Sequence, residues 1–185
     1  GYKRLMELIS RSNTENNRHG RARIKQSWFE EGTEGLVALS GDGTHGEFAR
    51  LFTAEVNDET RAQADEVANF YARVFPGRYF LEVQRYAQPN EATQVVETVA
   101  ISDRHGIPLV ATHPIQFAER ENYYAHEVRT CIANKSVVDD PMRETVFTRE
   151  QYFKSSEEMA ELFADLPEAV SNTVAVAQML SLIHI

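Results

Sequence analysis

Apolar residues arrive in three short runs, each stopped by polar or turn residues: Gly35-Leu-Val-Ala-Leu-Ser40, Arg78-Tyr-Phe-Leu-Glu-Val-Gln84 and Ile107-Pro-Leu-Val-Ala-Thr112. Runs of this kind are the pattern of buried strands. Between the first two, Asp58 to Phe75 repeats at helical spacing, with Ala62, Val67, Phe70, Tyr71 and Val74 on one side and a stop at Pro76-Gly77. Between the second and third, Asn90 to His105 also reads as a helix, with Val95, Val96, Val99 and Ala100 as its inner face. Strand, helix, strand, helix, strand at these separations predicts parallel crossover units. Three parallel strands do not close a barrel, and a complete parallel α/β barrel takes about 250 residues. The pattern therefore predicts an α/β fold: an incomplete parallel α/β barrel with a C-terminal helical appendix. The expected division is 1–133 for the partial barrel domain, lacking its N-terminal strands, and 134–185 for the helical segment.

The two ends refine this. The chain opens on Gly1 straight into a helical pattern, Tyr2, Leu5, Leu8 and Ile9, which reads as cut from something longer. Ser12 to Gly20 reads as a surface loop before the segment Ile24 to Glu30. The tail predicts a helix over Tyr123 to Ala133, a loop around Asp139-Asp140-Pro141, and three capped helices. Their starts are Thr148-x-x-Gln151 and Ser155-x-x-Glu158 as capping boxes, and Asp165 as a cap ahead of Pro167-Glu168. Uncovered sheet edge and apolar helix faces should make the isolated chain associate.

A chain that is 42% hydrophobic and 25% charged is a globular composition and not a disordered one. The net charge of -9 makes the average surface repel nucleic acid and anionic membranes. Residues 1–25 are the exception: seven basic residues against two acidic ones make this stretch +5, a basic N-terminal arm or helix, a balance that an ordinary solvated face also shows. Cys131 is the single cysteine, so no intramolecular disulfide forms, which suits a reducing, cytoplasmic location. No run approaches the roughly 20 apolar residues of a membrane span, and no membrane partner is expected.

In parallel α/β folds, ligands meet the loops after the C-terminal ends of the strands. The first such loop, Gly41-Asp42-Gly43-Thr44-His45-Gly46, matches G-x-G-x-x-G, which either cradles a phosphate on its amides or makes a tight turn. The acidic residue of a dinucleotide site, about 20 residues on, is missing at that distance. The second loop offers Gln84, Arg85 and Tyr86, and the third His113-Pro114-Ile115-Gln116-Phe117. Asp42, His45 and His113 are candidate zinc or manganese ligands, because carboxylate and imidazole suit those ions, although no two histidines share a close ligand spacing. His126 and Glu127 read as local packing, and Cys131 as a buried thiol.

Taken in order, Arg78 to Gln84, Gly106 to His113 and Ala125-His-Glu-Val-Arg129 resemble the PHP (polymerase and histidinol phosphatase) domain at the front of bacterial DNA polymerase III alpha subunits. Asp139-Asp140-Pro141, Phe147 to Phe153, Ser156 to Met159, Glu161 to Asp165 and Ala169 to Ala177 resemble the segment that joins that domain to the polymerase proper, and the wording at His113 to Phe117 looks most like proteobacterial members. The family pattern does not continue through Met179 to Ile185. The resemblance implies a distorted, TIM-like parallel barrel that in some members holds a metal cluster with phosphoesterase or exonuclease activity. Those members carry His where Tyr86 stands and an Asp-x-His pair where this chain has Pro114 and Gln116. The resemblance thus implies a relict cleft at Asp42, His45, Tyr86, His113, Pro114 and Gln116, without metal, cofactor or catalytic residues. It further implies a docking platform for the proofreading exonuclease (epsilon) subunit, with other replicase subunits and DNA reached through the parent chain. Polymerase activity with magnesium would lie elsewhere in that parent. The alternative expectation is a metal-dependent phosphoesterase working through Asp42, His45 and His113.

Overall fold

The computed structural model describes residues 1–53, 55–140, 142–143 and 145–180; Pro141 of the anticipated loop and residues 181–185 of the divergent C-terminus lie outside the described residues. Helix α1 (Tyr2–Glu15) leads into a hairpin of β1 (Asn17–Arg18) and β2 (Arg21–Ala22). Then follow β3 (Ala38–Leu39), α2 (Glu47–Phe52), α3 (Asp58–Val74), β4 (Tyr79–Val83), α4 (Glu91–His105) and β5 (Leu109–Ala111). Helices α5 (Tyr123–Asn134), α6 (Ser156–Leu162) and α7 (Pro167–Met179) complete the order.

The three apolar runs form one parallel sheet in the order β3-β4-β5. Ala38 pairs with Tyr79 on one side of the central strand, and Leu81 with Leu109 on the other. Tyr79, Phe80, Leu81 and Val83 are all buried, as expected for a parallel strand covered on both faces. Gly35 turns the chain at φ +71°, so only two residues of the first run enter the ladder.

The larger core gathers Phe48, Phe52, Ala64, Ala68, Phe75, Tyr79, Leu81, Ile101 and Ile107. Leu81 and Ile101 are completely buried, which stabilises the fold by roughly 1.5–3 kcal/mol for each side chain. The inward stripe of α3 is Ala64 and Ala68 with Val67 and Tyr71 beside them, and Ala62 lies on the opposite, exposed side. On α4 the buried positions are Val95, Glu97, Thr98 and Ile101, while Val96 points outward. The sequence pattern misassigns Val96 because the inward stripe contains two polar residues: Glu97 is held by Arg61, whose Nε and Nη2 donate to its two carboxylate oxygens at 3.0 and 2.7 Å.

A second core cluster joins Val83 and Ala111 at the strand ends to Phe163 and Ala169, with Met159, Leu162, Leu166 and Val170 packed around them. Asn172 Nδ2 donates to Leu109 O at 2.8 Å and fixes α7 along β5. The tail helices thereby cover the sheet.

Three local expectations differ from what forms. Ser12 to Glu15 continue α1, and Ser12 Oγ, Asn13 Nδ2 and Thr14 Oγ1 satisfy themselves on carbonyls of the preceding turn at 2.7–3.0 Å. Thr148 to Gln151 closes one turn and starts no helix; Gln151 Oε1 accepts from Thr148 N, but the Thr148 hydroxyl donates to Tyr86 O. Asp165 does not cap α7, whose N-cap position is Leu166. Its carboxylate instead takes Arg85 bidentately at 2.6 and 2.7 Å, the planar fork being a better partner than a single backbone N–H. Ser155 caps α6 as the spacing predicts, reciprocally with Glu158.

Helix α1 leaves Tyr2, Leu5, Met6 and Ile9 between 42 and 60% exposed along one side. Sedimentation velocity is expected to show concentration-dependent association of the isolated chain; a monomer at every concentration would contradict this.

Candidate functional site

The cleft lies where the loops leave the C-terminal ends of β3, β4 and β5. Glu82 and Gln84 are two residues apart at the end of β4 and therefore project to the same side. They tie the three strand ends together. Glu82 Oε2 accepts from Gly41 N at 2.7 Å, and its Oε1 accepts from Thr112 Oγ1 at 2.9 Å. Gln84 Oε1 accepts from Gly43 N at 3.0 Å while its Nε2 donates to Thr112 Oγ1 at 2.8 Å. Glu91, at the start of α4, accepts from the backbone of Tyr86 and Gln88. Glu82, Gln84 and Thr112 thus bond chiefly to one another and to the glycine-rich loop.

The glycine-rich loop is closed on itself. A side chain on Gly46 would meet Asp42 O at 2.5 Å, and one on Gly41, at φ +93°, would meet Gly46 Cα at 2.9 Å. Gly43 faces Gln94, Tyr86 and Gln84 at 3.0–3.6 Å from a built Cβ. These glycines serve a tight turn and close packing. Asp42 accepts from the backbone N–H groups of Thr44 and His45. Burial would raise its pKa, but these two hydrogen bonds and the nearby imidazole hold it below the usual carboxylate range.

The third loop is laced to the tail. Gln116 N donates to Gln151 O at 2.8 Å, Gln151 Nε2 to Pro114 O at 3.2 Å, and Phe153 N to Phe117 O at 3.1 Å. His113 Nε2 lies 2.9 Å from Glu150 O, which fixes the proton on Nε2 and leaves Nδ1 buried with no partner among the described residues. Burial pushes the His113 pKa down, against the hydrogen bond to the Glu150 carbonyl and with the Lys154 charge acting the same way as burial.

The residues present do not fit a metal centre. Asp42 and His45 meet at 3.5 Å, but the imidazole is 83% exposed. The Tyr86 phenol is buried, is bonded to Thr44 Oγ1 at 3.0 Å, and has its pKa raised chiefly by burial, which opposes the phenolate a metal would need. Pro114 brings no side-chain donor, and the exposed Gln116 brings no charge. Among the described residues no group of three or more His, Cys, Asp or Glu side chains is placed to hold an ion.

Sequence reasoning named the loop residues and missed most of what binds them: Glu82, Thr112, Glu91 and the distant Thr148 and Gln151. The signal for Glu82 and Gln84 was available, since two polar residues on one side of an otherwise buried strand must find partners. Cys131 is buried and free. His126 packs between the Phe117 and Phe147 rings, and Glu127 lies 2.6 Å from Arg143.

The fold is a three-stranded parallel sheet with crossover helices and a glycine-rich turn at its C-terminal edge, and residues 1–86 match the PHP domain family. The chain is 42% identical over 178 residues to DNA polymerase III subunit alpha of Pseudomonas fluorescens, covering 96% of this chain and 15% of that protein. The corresponding protein of Escherichia coli K12 is 38% identical over 178 residues, again 96% and 15%, and that of Neisseria meningitidis serogroup A is 39% identical over 185 residues, 98% and 16%. The chain is thus a homologue of one segment of the DNA polymerase III alpha subunits, spanning about 15% of their length, with PHP sequence in its first 86 residues. No helix among the described residues is long and apolar enough to cross a membrane.

Proposed function

We propose that this chain is the metal-depleted PHP scaffold of a bacterial replicative DNA polymerase alpha subunit, and that it carries the proofreading exonuclease (epsilon) subunit. The observation that carries this reading is the lacing of the third loop, from His113 to Phe117, by residues 150–153. A catalytic cleft keeps its strand-end groups available to substrate; here those groups are consumed by internal hydrogen bonds. In this reading the sheet belongs to a distorted, incomplete parallel barrel formed by 1–133, and 134–185 leads toward the polymerase region. DNA-directed DNA synthesis with magnesium, a nucleotidyl transfer of the two-metal kind, is the work of the parent polypeptide in the cytoplasm, where other replicase subunits and DNA are its partners.

Three measurements test the proposal. The 185-residue chain is expected to give no primer extension with magnesium and deoxynucleotides, and any templated product would place synthesis within it. Protein purified without chelator should contain metal far below one ion per chain. Stoichiometric zinc or manganese together with phosphate-ester hydrolysis would replace the scaffold by a phosphoesterase. Co-purification with the exonuclease subunit is expected at one to one, and its failure with folded protein would remove the docking role.

A further inference from the structure

The hairpin between Asn16 and Arg23 concentrates charge in a way its own stability does not require. Asn17 pairs with Ala22 and Arg18 with Arg21. One step further out, Arg23 N donates to Asn16 O at 3.2 Å and Asn16 Nδ2 to Arg23 O at 2.9 Å. Side chains alternate along a strand, so Asn16, Arg18, Arg21 and Arg23 share one face of the ribbon, and Asn17 and Ala22 take the other. These four and His19 line a single concave surface. Arg18, Arg21 and Arg23 are exposed, and none forms an ion pair among the described residues. The nearby acids are already engaged, Glu15 by Arg11, and Glu31 by Arg11 and Arg4. Arg18 directly opposite Arg21 places like charges together, which weakens a strand pair unless an anion lies between them. A chain of net charge -9 thus presents three unneutralised guanidinium groups on one face of a two-stranded ribbon.

We infer that this ribbon is a contact for the phosphodiester backbone of DNA, bound without sequence preference. Two residues along a strand advance about 6.8 Å, so Arg21 and Arg23, with Arg18 opposite, reach over a stretch of nucleic-acid backbone whose charges follow about every 3.4 Å of helix axis on each strand. The guanidinium fork matches phosphate oxygens bidentately. An acidic peptide would also satisfy the charge, but among the described residues this surface is lined by Asn16, Arg18, His19, Arg21 and Arg23, with no apolar side chain to receive those of a peptide. The inference does not depend on the scaffold reading, since it concerns a surface outside the strand-end cleft.

The test is anisotropy of a short labelled duplex titrated with the 185-residue chain between about 50 and 200 mM salt, the range over which phosphate contacts are resolved. The triple variant R18A/R21A/R23A is expected to bind at least about tenfold more weakly at the lowest salt, and to lower the slope of log K against log salt by about 2.7, the value for three phosphates. The matching lysine variant R18K/R21K/R23K should keep that slope, and circular dichroism should show all three proteins equally folded, because every altered side chain is in solvent. Binding with an unchanged slope in the alanine variant, no binding by the parent chain, or displacement of the duplex by polyglutamate at equal charge would each overturn the inference.

Discussion

Replacing Phe163 by alanine is expected to lower the unfolding free energy by about 3–5 kcal/mol, the range for a fully buried aromatic ring. Phe163 has no exposed surface and joins Val83 and Ala111 of the sheet to Ala169 of α7. The Arg85 guanidinium lies 5.0 Å from the ring centroid, while its Nη1 donates to Leu162 O at 2.7 Å. Removing the ring therefore empties a cavity at the strand ends and loosens the Arg85–Asp165 pair as well. Urea unfolding followed by circular dichroism measures the loss directly. A change below about 0.5 kcal/mol, the size of a surface substitution, would show that α6 and α7 are not seated on the sheet. Phe163→Leu should recover much of the loss, since it leaves a smaller void.

Acidification from pH 7.5 to 5.5 should destabilise the protein, with a limiting slope of about 1.4 kcal/mol per pH unit for each buried imidazole. His126 is 5% exposed; burial pushes its pKa down from 6.5, and the Arg129 guanidinium, 3.2 Å from Nδ1, pushes the same way. Glu127 opposes these effects more weakly. His113 is shifted downward chiefly by burial as well. Below pH 6.5 the unfolded chain binds protons that the folded chain still refuses, so stability is complete above the unfolded value and declines as pH falls through it. In the unfolded chain aspartates and glutamates titrate lower, at about 4. His126→Gln should flatten the urea midpoint against pH; a midpoint rising toward pH 5.5 in the parent chain would contradict the argument.

The strands and the long helices were legible because burial imposes a period. β4 is buried at four of its five residues, and α3 and α4 run for 17 and 15 residues, enough turns for a stripe to repeat. Helix α2 was not legible, since six residues after Gly46 supply less than two turns. The hairpin offered no apolar alternation at all, and its remaining signal was the His19-Gly20 turn, where both residues take positive φ. At the cleft, residue identities were readable and partners were not. Nothing local to Thr148 or Gln151 announces that they reach Tyr86 and Pro114, 62 and 37 positions away, and the same side chains fit a helix start equally well. Asp165 misled for a related reason: its position before Pro167 suits a cap, but Arg85 competes for it from 80 positions upstream.

The Arg85 strap spans 77 positions to Leu162, and Asn172 reaches Leu109 across 63. Such distant pairings raise contact order and delay the final docking event. On a translating ribosome, which adds about 5–20 residues per second, Val83 and Ala111 emerge well before Phe163 does. For several seconds the nascent sheet waits bare, and a chaperone has its best opportunity to bind during that interval.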